Sequence, residues 1–592
     1  MPGQIVVGTL LVLATWAACA AAIVAVGLVP ALAMTSGRWT SSTLRVAVWS
    51  GLVALTIVTV GLSIVVPLRS GAAAFVVLVF IALIGALGIG WGIRARRRSP
   101  ARSQAVKGWR LAVLAALAVA QVFLAAAALG RVTNYDSGLY HLGAIHYAGD
   151  YSAIPGLANL YFPLGYANAE FPLAALLGNG PWDGIGYRLL NGLLFALVAL
   201  DLVARLRRPR LTVGAYILMV GVTAAWLPMV ALADYWVTSP SSDSAVLVLS
   251  VAAAAYVADA VAGGHRWAVQ AAVSVLLTSL MVMLRPTMAI YAIVTVVVVT
   301  ALAVRRRGTA RQEGLTVAVM VSAGMAALAA LAISARDYVL SGWLQFPLSV
   351  VSFDVPWRAL DPVDARGATL GAARDPAELW SAAQGWDWVP GWIGRLPSNW
   401  ETYAFAMLAS AAAVLVVLAH RRAPGGIRVR GLALAMLPSV IAVAFWWLFT
   451  PPSFRFTWGP LFCTAAVPIG WSLWQLARSD RKPGTSPWPR LAGWTLAYAI
   501  IAVTAFTAVA RFDAGALTQE RVWRLGVSIP YAVAPVPGTT DIPVSTATTP
   551  TGLVLLQPIP SDQCWDVFPL CTPQVFSDIR QLGPSIQDGF AP

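Results

Sequence analysis

The chain has 592 residues, of which 59% are hydrophobic and only 11% charged, and its mean hydropathy is +0.74. That balance excludes a soluble globular enzyme and calls for repeated apolar runs of bilayer length. A net charge of +15 would suit a nucleic-acid binder, but the arginines fall in short clusters between apolar runs, so membrane lipids rather than nucleic acid are the expected surroundings.

In chain order, the hydropathy pattern predicts fourteen spans, starting near Ile5, Val46, Ala72, Leu111, Ile185, Leu211, Ser244, Trp267, Thr287, Leu315, Tyr403, Gly431, Pro460 and Leu491. The first lacks a basic start and runs too long for a cleavable signal. The spans near Ser244, Trp267 and Thr287 are closely spaced, and merging two of them would invert everything that follows. Alternating spans place five basic connections on one side. They hold Arg94 to Arg110, Arg205 to Arg210, Arg305 to Arg311, Arg421 to Arg430, and Arg478 to Arg490. That side is expected to be cytoplasmic, which leaves the acid-bearing loops and both termini outside. Three outer segments exceed connector length: 131–184, 336–401 and the tail from Arg511, where the strand-like TGLVLLQPI precedes CWDVFPLC. The domain reading is therefore N-terminal transmembrane helices over 1–110, a core over 111–510 carrying the first two loops, and an extracytoplasmic segment over 511–592.

The first outer loop opens on TNYDSGLYHLGAIHYAGDY, directly after the fourth span. Asp136 sits within a turn or two of that span's outer end. A carboxylate there, under aromatic cover, suits a general base, and it equally suits an N-cap for the helix implied by SGLYHLGAIHYAGDY. Glu170 and Asp150 suit either the orientation of a substrate hydroxyl or pairing with an arginine. His141 and His146 are five residues apart, about 140° on a helix, which is poor spacing for a shared metal. A hydrogen bond from His141 to a substrate or to Tyr135 fits better. Arg285 in MLRPT and Arg455 in PPSFRFTWG stand at outer ends of spans, where lipid exposure is costly. A phosphate or pyrophosphate matches a guanidinium bidentately; the alternative is a structural ion pair with an outer acid such as Asp234 or Asp354. Arg131, Arg188 and Arg358 are further candidates. Cys564 and Cys571 stand seven apart in the outer tail, where an oxidising compartment favours a disulfide over a two-thiol metal site. No P-loop, Rossmann fingerprint, HExxH or GxSxG occurs. Chemistry is thus expected outside, with a donor available there, such as a polyprenyl-phosphate-linked sugar.

A polytopic chain with an acid-bearing first outer loop, interfacial helices and a small outer C-terminal segment resembles the GT-C superfamily of lipid-sugar-dependent glycosyltransferases. More closely, YDSGLYHLGAIHY, IPGLANLYFPLGYANAEF, FPLSVVSFDVPWR, PPSFRFTWG and the tail QCWDVFPLCTPQV look like a bacterial membrane family related to that superfamily, from about Asn134 to the C-terminus. The resemblance implies an all-α polytopic GT-C-like fold in the bacterial cytoplasmic membrane. It implies Asp136 as the base that activates an acceptor hydroxyl on a glycan or lipid, and Arg285 and Arg455 on the donor phosphate. Tyr135, His141, Glu170 and Arg358 would complete the substrate site. Many members carry an acidic pair where this sequence has Asp-Ser, so a bridging divalent cation is left open. The alanine- and arginine-rich composition is actinobacteria-like, and such enzymes often build cell-envelope arabinan or mannan. A transporter or flippase for a lipid-linked glycan is the rival expectation, although no paired halves are evident.

Overall fold

The computed structural model describes residues 2–592 except 41, 99–107, 264–265, 307–314, 361, 423–428, 451, 480–485, 539 and 577. The expected positive charges of Arg102, Lys107, Arg307, Arg311, Arg428, Arg481 and Lys482 lie outside the described residues.

Long helices dominate: α1 (Pro2–Met34), α2 (Thr43–Val65), α3 (Gly71–Arg98), α4 (Trp109–Ala127), α5 (Leu190–Leu206), α6 (Val213–Ala231) and α7 (Ser242–Ala262). They continue with α8 (Trp267–Leu284), α9 (Ala289–Arg305), α10 (Leu315–Ser341), α11 (Trp400–Arg422), α12 (Val429–Phe449), α13 (Trp458–Ser479) and α14 (Trp488–Ala510). Thirteen helical segments among the described residues are long and apolar enough to cross a membrane, so the chain is a multi-pass membrane protein. The helix outside that set is α13, whose Trp, Pro, Gly and Ser content lowers its hydropathy. It compensates by position, packing against α6, α7, α11 and α12.

The three closely spaced spans remain separate. Arg285 is extended (φ −151°, ψ 107°) ahead of Pro286, as the residue before a proline prefers to be, and this ends α8 before α9 begins. The α1–α2 crossing depends on two glycines. A Cβ on Gly27 would lie 1.8 Å from the Ala47 carbonyl oxygen, and one on Gly51 would lie 1.8 Å from that of Ile23. With little hydrophobic drive between helices in lipid, such close backbone approach is what holds them together.

Contacts sort the helix ends into two faces. At one, Arg110 of α4 donates 2.9 Å bonds to the carbonyls of Leu206 and Arg208, and Arg306 donates to Ala260 and Val261 at the end of α7. At the other, the end of α4, the start of α7, the end of α8 and the start of α13 meet the outer loops. The tail lies on this second face, where the Ala534 amide donates to Leu129 at 2.8 Å. This tail departs from an all-α description. Its strands form three antiparallel pairs: β1 (Gln519–Arg524) with β2 (Ser528–Val533), β3 (Val544–Thr548) with β4 (Val554–Pro558), and β5 (Arg580–Gln581) with β6 (Phe590–Ala591). The strand expected in TGLVLLQPI is β4.

Arg205, read from sequence as one of a basic connection, is instead buried in the last turn of α5. Its Nε donates to Asp201 at 2.7 Å and its other end pairs with Asp259 of α7, while Trp49 of α2 donates to Asp201 at 2.7 Å. Arg45 of α2 stands 3.7 Å from the same carboxylate. The network fastens α2, α5 and α7 at the arginine-rich face. Removing one member of a buried ion pair leaves its partner uncompensated, at about 3–5 kcal/mol. Asp201→Ala is therefore expected to lower the unfolding midpoint sharply in a denaturant titration in detergent, whereas Asp150→Ala, at a partly exposed pair with Arg69, should cost about 1 kcal/mol or less.

Candidate functional site

The first outer loop leaves α4 at Gly130 and re-enters helix through a π-turn over Ser137–His141, followed by a short helix over Leu142–Asp150. Asp136 immediately precedes the π-turn, yet its side chain does not cap it. The Asp136 amide is instead held by the Asn134 side chain at 2.9 Å. This removes the capping alternative and turns the carboxylate toward the start of α13.

There Asp136 Oδ2 accepts a 2.8 Å bond from Arg455 Nη1. Arg285 pairs with Asp243 in the first turn of α7. The two guanidiniums lie over the Phe456 ring, at 5.1 Å for Arg285 and 5.0 Å for Arg455. Both expected arginines thus occupy one cluster, each with an acid. The partners are Asp243 and Asp136, not the anticipated Asp234 and Asp354. Asp234 is engaged by Thr133 at 3.2 Å, and Asp354 is exposed on the second outer loop.

Beside this cluster opens a cleft of about 610 Å³. Asp136, Glu401, Arg455 and Arg395 supply its charge, and Tyr135, Tyr235, Trp236, Trp392, Trp400 and Trp458 supply aromatic wall. Arg455 is 29% exposed and Asp136 17%, so both remain reachable. Glu401 accepts a 3.2 Å bond from Trp458. Sequence reasoning missed Arg395, Glu401 and Asp243. Arg395 stands within the stretch WDWVPGWIGRLPSNW, residues 386–400, where a cation among four tryptophans was a legible signal. Asp243 carried none beyond the Ser-rich start of α7.

Other expected site residues lie elsewhere. Glu170 does not line the cleft and is 0% exposed, and neither carboxyl oxygen has a hydrogen-bond partner among the described residues. The nearby Asn191 amide donates instead to the carbonyls of Trp236, Ser239 and Ser241. Burial, reinforced by the charge of Asp243, pushes the Glu170 carboxyl up to about 8. His141 is also buried, packed against Tyr140 and Phe171, and burial drives its imidazole down to about 3. It does not bond Tyr135. Tyr135 instead donates its hydroxyl to Asp562 of the tail. Asp150 pairs with Arg69, Arg131 with Asp513 at 3.1 Å, and Arg188 is buried on the carbonyls of Leu129, Gly130 and Ala534. Arg358 sits half-buried beside Gly342, away from the cleft. Cys564 and Cys571 form a disulfide. Among the described residues no three His, Cys, Asp or Glu side chains gather as a metal site.

The raised Glu170 pKa makes the folded state less stable as pH rises. The folded state holds a proton that the unfolded chain releases above about 4.5. Its stabilising effect is therefore complete below that pH and is lost as pH rises toward 8, at up to about 1.4 kcal/mol per pH unit. Melting curves in detergent from pH 5 to 8 should show a downward slope for the native protein and a flatter one for Glu170→Gln.

Compared with known proteins, residues 10–462 match the domain of unknown function DUF8201. The chain belongs to the DUF8201 family. The match takes in α1 to α3 as well as Asp136, Arg285 and Arg455, and ends within α13, before the tail. No curated protein and no solved structure matches the chain.

Proposed function

We propose that this DUF8201 protein is an integral-membrane glycosyltransferase that moves a sugar from a polyprenyl-phosphate donor to a glycan or lipid acceptor. The observation that carries the proposal is that two unlike cavities adjoin. A groove of about 660 Å³, lined almost wholly by apolar side chains of α6, α11, α13 and α14, shares Leu232 and Trp400 with the charged cleft. An amphiphile with one apolar chain and an anionic head fits that junction, its tail along Met407, Phe462 and Leu496 and its head against Arg455. The aromatic walls suit the faces of a sugar ring. By the positive-inside rule the arginine-rich face is cytoplasmic, so the cleft opens on the outer side of the cytoplasmic membrane.

The ion pair suggests the order of events. An arriving phosphate competes for Arg455, whose planar fork fits it bidentately, and so releases the Asp136 carboxylate. Asp136 then takes the proton of an acceptor hydroxyl. The acceptor oxygen bonds to the anomeric carbon as the bond from that carbon to the phosphate oxygen breaks, and the phosphate departs on Arg455. Configuration at the anomeric carbon inverts. In proteoliposomes charged with a radiolabelled polyprenyl-phosphate sugar and crude envelope acceptors, label should enter a new covalent product. Label that merely redistributes across the bilayer would identify a flippase, which the open groove would also serve.

A further inference from the structure

The tail reaches the cleft through its disulfide. Gln563 and Trp565 flank Cys564, and each grips the chain on one side of Asp136. Gln563 Nε2 donates to the Tyr135 carbonyl at 2.8 Å. The Trp565 amide donates to the Gly138 carbonyl at 2.9 Å. The Trp565 ring lies so close that a Cβ on Gly138 would stand 2.6 Å from it. On the far side of the disulfide, Cys571 lies between two bonds to β4: Leu556 donates to Leu570 at 3.0 Å, and Thr572 donates to Leu556 at 2.9 Å. His146 meets Asp566 at 2.6 Å, which fixes the same segment further along the loop.

We propose that the disulfide-closed hairpin over residues 562–571 is a positioning element that holds Asp136 against Arg455, with Gln563 and Trp565 as positioning residues. The hairpin anchors to β4 through Cys571, crosses the disulfide to Cys564, and sets the backbone on both sides of the carboxylate. Opening the disulfide leaves Gln563 and Trp565 on a chain no longer tied to β4, so Asp136 loses its fixed bearing while the membrane helices keep theirs. Phosphate binding in the cleft is therefore thiol-sensitive, although neither cysteine lines it. That consequence rests on the function proposed above; the positioning itself does not.

The test treats the purified full chain with dithiothreitol, whose two thiols give two electrons and two protons to the sulfurs and leave as a cyclic disulfide. Hydrogen exchange is read by mass spectrometry before and after. Reduction should speed exchange at the Trp565 amide and across 135–139 about tenfold, with exchange in α2, α5 and α7 unchanged. Undecaprenyl phosphate, titrated by tryptophan fluorescence, should bind a few-fold more tightly, because Arg455 is freed from its pair with Asp136. Should reduction unfold the whole tail, Gly138→Ala with the disulfide intact decides, since its methyl must displace Trp565; it should show the same two changes. Unchanged exchange at 135–139 with both thiols shown free, or in Gly138→Ala, overturns the proposal. Failure of the untreated protein to bind undecaprenyl phosphate counts against the glycosyltransferase reading, and the exchange comparison still judges the hairpin.

Discussion

Asp136→Asn is expected to abolish sugar transfer by about 10²–10⁴-fold, the range general-base catalysis supplies, while strengthening the grip on the donor phosphate. The second effect follows from the ion pair. The Asp136 carboxylate, 2.8 Å from Arg455, competes with an incoming anion for the same guanidinium. An amide of the same shape carries no charge to compete. Hydrogen bonds to charged groups contribute about 1.5–3 kcal/mol, and only part of that is recovered because the pair is partly exposed to water. A few-fold gain in affinity for undecaprenyl phosphate is the expected size. Transfer kinetics with fluorescence titration on the same preparation measure both. Unchanged turnover would remove Asp136 from the base role, and weakened binding would mean that the carboxylate assists the head group rather than competing with it.

Arg455→Gln should do the reverse. Among the described residues its guanidinium is the cleft charge bonded to Asp136, and the expected loss in affinity for a prenyl phosphate is about 10- to 100-fold, corresponding to about 1.5–3 kcal/mol for a charge-assisted contact. Burial lowers the pKa of Arg455, but Asp243 and Asp136 more than offset this and hold it above the ordinary guanidinium range, so the side chain stays cationic at any working pH. Loss of the charge also leaves the partly buried Asp136 without its 2.8 Å counter-ion, so a modest fall in melting temperature should accompany the lost binding. Arg285→Gln should weaken binding less, since Arg285 is paired with Asp243 and does not line the cleft. Equal losses from the two substitutions would mean that the head group reaches Arg285 as well.

Elements governed by local rules were readable in the sequence. Hydropathy marked the helices, and two cysteines seven apart in a tail expected to meet an oxidising compartment marked the Cys564–Cys571 disulfide. Asp136 and Arg455 were legible singly, by residue type and by standing at the mouths of spans. Their pairing was not, because 319 residues separate them and tertiary packing, in which α4 and α13 both lie against α14, brings them together. The same holds for Asp243 against Arg285, and for Gln563 on the Tyr135 carbonyl across 428 residues. Glu170 shows the opposite failure. An acid in a polar loop read as accessible, but its short helix over Glu170–Leu177 packs against the helix over Leu142–Asp150 and buries it. Arg205 read as a topogenic loop charge because sequence alone cannot reveal that Asp201 and Asp259 face it.

The proposed reaction requires a lipid phosphate to sit against Arg455. Cryo-electron microscopy of the protein in nanodiscs containing undecaprenyl phosphate tests it most directly. The predicted map has head-group density against Arg455 and chain density in the groove between α11 and α14, with the Asp136 carboxylate released toward the open cleft. A map in which the lipid binds elsewhere, with the Asp136–Arg455 pair still closed, would contradict it.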